Sequence, residues 1–87
     1  MSHVVIYTTA TCPYCIRAKL LLDKKEITYT ELRVDQDLQL REEMHQRAKQ
    51  ITVPQIFIGE IHVGGFDQMY MLDLDDKLDP LLFPSQD

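Results

Sequence analysis

Basic charge is scarce in this sequence: nine Lys and Arg stand against 14 Asp and Glu, for a net charge of −5. General nucleic-acid binding needs a basic face, so this deficit argues against it. A local basic patch for a small ligand can still exist on an acidic protein. Long apolar runs are also missing. Nothing approaches the roughly 18 residues of a membrane span. The opening MSHVVIYTT has neither the basic start nor the apolar length of a secretory signal. The expected compartment is the cytoplasm, with no membrane partner. Repeats, low-complexity tracts and linkers are absent too, so residues 1–87 read as a single small domain. The hydrophobic content of 45% is ordinary for a globular chain.

Thiols are nearly absent. Cys12 and Cys15, in TTATCPYCI, are the whole supply. A structural zinc site needs four ligands. The three histidines, His3, His45 and His62, are scattered without ligand spacing, so no metal is expected. A staple across two intervening residues would close a very short loop, where the entropic gain is small. Structural disulfides are rare in the cytosol in any case. Redox chemistry remains.

The surrounding pattern alternates strands and helices. HVVIY (3–7) is a short apolar, β-branched run, suited to a strand covered on both faces. A helix is predicted from Pro13 to about Lys25, with proline in its first turn and Cys15, Ala18, Leu21 and Leu22 on its inner side. ITYTELRV (27–34) reads as a second strand. Asp35 to Asp37 make a turn and helix cap, and Leu38 to Lys49 an exposed helix with Leu40, Met44 and Ala48 on one stripe. QIFI (55–58) and EIHV (60–63) form a hairpin across Gly59. Gly64 and Gly65 break the chain before a helix over 66–74. A short last helix carries Leu78, Leu81 and Leu82. The stripes Leu20 to Leu22, Met69 and Leu72 are assigned to the core. His62 is read as a solvent-facing strand residue with no assigned role. The order β-α-β-α-β-β-α predicts a parallel first pair, an antiparallel last pair and one mixed sheet between helices. CxxC at the head of the first helix of such a unit is a thioredoxin-like redox motif.

Helix geometry divides the labour within the pair. With Pro13 as the first helical residue, Cys12 is the N-cap, and the free N–H groups of Tyr14 and Cys15 can point at its sulfur. Those donors and the helix dipole favour thiolate, so a lowered Cys12 pKa is expected. Cys15 lies one turn inside on the apolar side, less exposed, placed to attack a mixed disulfide on Cys12.

TCPYC, TVPQIFIG and a double glycine followed by Phe66 and Asp67 resemble the glutaredoxin family, in its dithiol CPYC type, the bacterial members above all. The resemblance spans nearly the whole chain. It implies a thioredoxin-like α/β fold, a four-stranded mixed sheet flanked by helices. It also implies a glutathione-dependent thiol–disulfide oxidoreductase that uses no metal or flavin. In that family pattern Cys12 is the nucleophile and Cys15 the resolving thiol. Thr52, Val53 and Pro54 match the cis-proline loop whose Val53 backbone pairs with the cysteinyl part of glutathione. Gly65, Phe66 and Asp67, with Gly64 before them, match the segment holding the γ-glutamyl end, and Tyr14 packs over the ligand. The implied partners are glutathione and disulfide-containing or glutathionylated proteins, ribonucleotide reductase among them, with the enzyme acting as a monomer.

There are departures. Many relatives carry lysine at Thr9 and arginine at Gln50, so two basic positions are neutral here, with Lys49 and Arg17 as candidate substitutes. Phe66 stands where several relatives have cysteine. Two rival functions are a thioredoxin-like reductant fed by a flavoprotein reductase and a glutathione-ligated iron–sulfur carrier. The TVP and Gly64–Asp67 segments count against the first, and Pro13 with the available Cys15 against the second.

Overall fold

The structure, a computed structural model, describes residues 3–84. In chain order the elements are β1 (Val4–Thr8), α1 (Pro13–Lys24), β2 (Tyr29–Arg33), α2 (Leu38–Ala48), β3 (Gln55–Ile58), β4 (Ile61–Gly64), α3 (Phe66–Leu74) and α4 (Leu78–Leu82). They form a four-stranded sheet in the order β2-β1-β3-β4. The crossover through α1 makes β1 and β2 parallel, whereas β1 and β3, and β3 and β4, are antiparallel. This is the mixed sheet expected from the element order, in the thioredoxin-like form that the family resemblance implies. No helix among the described residues is long and apolar enough to cross a membrane.

Alternation along β1 distributes its side chains between two cores. Val4 and Ile6 join Ile56 and Ile58 on one face, under Ala18 and Leu22 of α1, Met69 of α3 and Leu78 and Leu82 of α4. Tyr7 joins Phe57 on the other, against Val34 and against Met44 and Ala48 of α2. The central strand is therefore covered on both sides, as its continuous apolar run suggests. Tyr7 is wholly buried and keeps its hydroxyl satisfied: it donates to Glu43 Oε2 at 2.5 Å and accepts from Arg47 at 2.9 Å. Arg47 also stacks 4.0 Å from the Phe57 ring centroid. Lys25 pairs with Asp73 and Asp79 at 2.8 and 2.7 Å, tying the end of α1 to α3 and α4.

Three expectations change at the margins. Leu20 is 61% exposed and does not belong to the core stripe, because the buried face of α1 is set by Cys15, Ala18 and Leu22 at helical spacing. β2 is an outer strand and pairs only from Tyr29 to Arg33, leaving Ile27 and Val34 buried outside the ladder. β4 begins at Ile61, one residue later than expected, with a register irregularity opposite Ile56 and Phe57.

Candidate active site

Cys12 occupies the N-cap of α1 in extended backbone (φ −107°, ψ 106°), with Pro13 as the first helical residue. Its sulfur accepts a hydrogen bond from the Cys15 backbone N–H at 3.1 Å. Among the described residues Cys15 is the one backbone donor on that sulfur; Tyr14, expected beside it, makes no such bond. The Cys12 thiol also contacts the Val53 carbonyl at 3.7 Å. That contact joins the head of α1 to the loop between α2 and β3, where the Val53–Pro54 peptide is cis.

Both cysteines are free thiols, and their environments differ. Cys12 keeps 9% of its surface while Cys15 has none. Burial, and then the hydrogen bond with Cys12, push the Cys15 thiol up to about 12, against a smaller opposing effect of the Thr9 backbone. Cys15 is thus a protonated, inert thiol in the reduced protein. With iodoacetamide below about pH 10, native protein is expected to gain one carbamidomethyl group, on Cys12, and Cys15 to react only after denaturation. Peptide mass mapping reads this directly, and modification of Cys15 in the native state at a comparable rate would contradict it.

Beside the pair lies a cleft of about 210 Å³. One wall is the loop and strand start carrying Gln50, Thr52, Val53, Pro54 and Gln55. The other is Gly65, Phe66, Asp67 and Gln68 at the head of α3, and Tyr14 closes the α1 side. Of the residues that the family pattern assigns to the ligand, Tyr14, Thr52, Val53, Pro54, Gly65, Phe66 and Asp67 line one space, and Gly64 does not. Gly64 adopts φ +109°, in the range that favours glycine, and delivers the chain to Gly65 as the α3 N-cap. Gln68 reaches back to accept the Gly65 N–H at 2.9 Å. Asp67, in the first turn, is exposed and makes no side-chain capping bond. Tyr14 is 51% exposed, 6.4 Å from the Phe66 ring, with the Arg17 guanidinium 5.3 Å from its own centroid.

Arg17 and Lys49, the candidate substitutes for the missing cations, do not line the cleft, nor does any other Lys or Arg. Its polar wall consists of Thr52, three glutamines and one carboxylate. Gln55 and Gln68 escaped the sequence reading. The available clue to Gln55 is an amide opening the otherwise apolar run QIFI. His62 is exposed on β4, as expected, yet it is engaged: its Nε2 lies 2.7 Å from Gln55 Oε1 and its ring stacks on Phe57 at 4.7 Å.

The sequence model of the glutaredoxin family matches residues 4–63. A glutaredoxin of Pseudomonas aeruginosa is 54% identical over 94% of this chain and 98% of its own length. Glutaredoxin 3 of Escherichia coli K12 is 52% identical over 94% of this chain and 99% of its own. Among solved structures, the buckwheat glutaredoxin–glutathione complex superposes with a TM-score of 0.84 at 33% identity, covering 93% of this chain and 76% of that one. The solution structure of the glutaredoxin from Brucella melitensis gives 0.82 at 49% identity, covering 94% and 89%. Sequence kinship over almost the full length of both partners, on the same fold and around a reduced CPYC pair, has one reading: the chain belongs to the glutaredoxin family, the glutathione-dependent thiol–disulfide oxidoreductases.

Proposed function

We propose that Cys12 is the nucleophile, that Cys15 resolves, and that the cleft between the Thr52–Pro54 loop and the head of α3 seats the glutathionyl group. The observation that carries this is the placement of the Cys12 sulfur. It accepts the Cys15 N–H of the helix terminus and touches Val53, whose neighbours form the cleft wall. A neighbour of the same fold is a complex with glutathione, which supports the same seat here.

With a glutathionylated protein, the Cys12 thiolate attacks the glutathione sulfur. The substrate thiolate leaves and takes up a proton, and a Cys12–glutathione disulfide forms. A second glutathione thiolate attacks the glutathione sulfur of that disulfide, yielding oxidised glutathione and the Cys12 thiolate. With a protein disulfide, Cys12 bonds one substrate sulfur and frees the other. Cys15, once deprotonated, then attacks the Cys12 sulfur and frees the second, and two glutathiones reduce the resulting Cys12–Cys15 bridge.

Val53 offers backbone groups to an extended peptide, the α3 N-terminus offers N–H donors to a carboxylate, and the uncommitted Asp67 carboxylate suits the ligand's α-ammonium. Tyr14 and Phe66 cover its apolar parts. The same reading makes residues 1–87 one domain that acts as a cytoplasmic monomer without a metal. Its substrates would be glutathionylated and disulfide-bonded proteins, ribonucleotide reductase included.

The deciding assay compares electron donors. Turnover of a glutathionylated peptide is expected with glutathione, glutathione reductase and NADPH. It is not expected when a thioredoxin reductase replaces both glutathione components. Equal turnover with the flavoprotein alone would replace this reading by the thioredoxin-like one.

A further inference from the structure

Gln55 is 1% exposed and lines the cleft. One end of its amide lies 3.0 Å from the Thr52 carbonyl, 3.1 Å from Thr52 Oγ1 and 3.0 Å from Gln50 Oε1. A backbone carbonyl can only accept, which assigns that end as the NH₂ group. The other end is then the carbonyl oxygen, and it faces His62 Nε2 at 2.7 Å. An oxygen in that position requires a hydrogen on His62 Nε2, a condition met by the Nε2–H neutral tautomer and by the imidazolium alike. Stacking on Phe57, 4.7 Å between centroids and 20° between planes, holds the imidazole in place. Donation thus runs in one direction, from His62 to Gln55 and from Gln55 to Thr52 and Gln50.

The consequence falls on Gln50. Its oxygen is engaged by Gln55, and its own NH₂ has no acceptor among the described residues although the side chain lines the cleft. Were Gln55 to turn its amide over, its oxygen would meet the Thr52 carbonyl and Gln50 Oε1, both acceptors, inside a buried site where unmatched polar groups are costly. The Thr52 carbonyl selects one orientation, and the His62 N–H satisfies the amide oxygen that this orientation turns toward β4, a buried acceptor that would otherwise go unpaired.

We propose that His62, acting through Gln55, is a positioning residue for glutathionylated substrates. It holds the Gln50–Pro54 wall in shape and leaves the Gln50 NH₂ as an uncharged donor for a carboxylate of the bound tripeptide. This rests on the cleft being the glutathione seat.

Two substitutions separate the ring from its hydrogen bond. His62→Phe keeps an aromatic ring over Phe57 and removes the donor; His62→Gln restores an N–H without the ring. His62 is exposed, so both variants are expected to fold. For a glutathionylated peptide, His62→Phe should raise KM about fivefold, the effect of one lost hydrogen bond, with kcat changed less than about twofold. His62→Gln should return KM to near the wild-type value. In single turnovers of prereduced protein, a cystine peptide without glutathione should react equally with all three. Gln50→Ala should raise KM by itself, and His62→Phe should add little to it, since both act along one chain of bonds.

An unchanged KM in His62→Phe, a KM that follows the melting temperature in place of the N–H, or full additivity with Gln50→Ala would overturn the relay while leaving the cleft assignment intact. A wild-type protein that handles the glutathionylated and the cystine peptide with the same KM would overturn the cleft assignment, and the relay with it.

Discussion

Cys12→Ser should abolish both reactions, by at least about 10³-fold in kcat/KM, the scale seen when a covalent nucleophile is removed. The loss is chemical in origin. Serine is a preferred N-cap residue, so its hydroxyl can take over the bond from the Cys15 N–H, now 3.1 Å from sulfur, and the melting temperature should hold or rise. A hydroxyl is neither ionised near neutral pH nor able to form the mixed disulfide. Cys15→Ser should behave differently. Deglutathionylation, which never uses Cys15, should persist, while reduction of protein disulfides should slow because the mixed disulfide must wait for external glutathione. Steady-state assays of the two substrate types, with melting curves beside them, check both variants. Appreciable activity in Cys12→Ser would remove the nucleophile assignment, and equal losses on both substrates in Cys15→Ser would remove the resolving role.

The asymmetry behind that prediction was legible in the sequence because it follows from one local rule. A proline at the first helical position makes the residue before it the cap, and the residue three further on faces inward, as Cys12 and Cys15 do. Periodicity likewise placed all four strands, with β1, β2 and β4 off by one or two residues at their ends, and matched the bounds of β3 and α3. Helix ends were less legible. α1 and α2 stop through Glu26 and Lys49, both at φ 59°, where a glycine would have announced the left-handed turn. Polar contacts across elements were hidden altogether. Gln55 and His62 stand seven residues apart on paired strands, and alternation says only that His62 points away from the apolar neighbours. Two further facts, that Gln55 is buried and that its amide must satisfy the Thr52 carbonyl, come from the cis-proline loop folding back on β3. No local pattern in the sequence contains them. The missing cations at Thr9 and Gln50 were visible as departures, but the neutral glutamine wall that stands in their place was not.

Gly65→Leu should cost the protein its glutathionylated substrates while sparing its fold. Gly65 sits at φ −92° and ψ −169°, backbone that any residue adopts, unlike Gly64 at φ +109°. A Cβ at Gly65 would lie 3.5 Å from the Pro54 carbonyl, an ordinary contact, and 3.2 Å from Gln68 Oε1, which belongs to a flexible side chain able to move away. Displacing it loses the Gly65 N–H bond to Gln68, a capping interaction of about 1 kcal/mol, and lowers the melting temperature by roughly 4–8 °C. The remaining carbons of leucine extend into the space between the two cleft walls, where the proposed glutathionyl group would lie, and overpacking a filled site is strongly unfavourable. KM for a glutathionylated peptide should rise at least about tenfold, equivalent to 1.4 kcal/mol. Alkylation of Cys12 by iodoacetamide, a reagent too small to need the cleft, should keep its wild-type rate. Loss of both together would mean that the substitution had disturbed α1 and its cap, and an unchanged KM would mean that the substrate binds elsewhere than between Pro54 and Gly65.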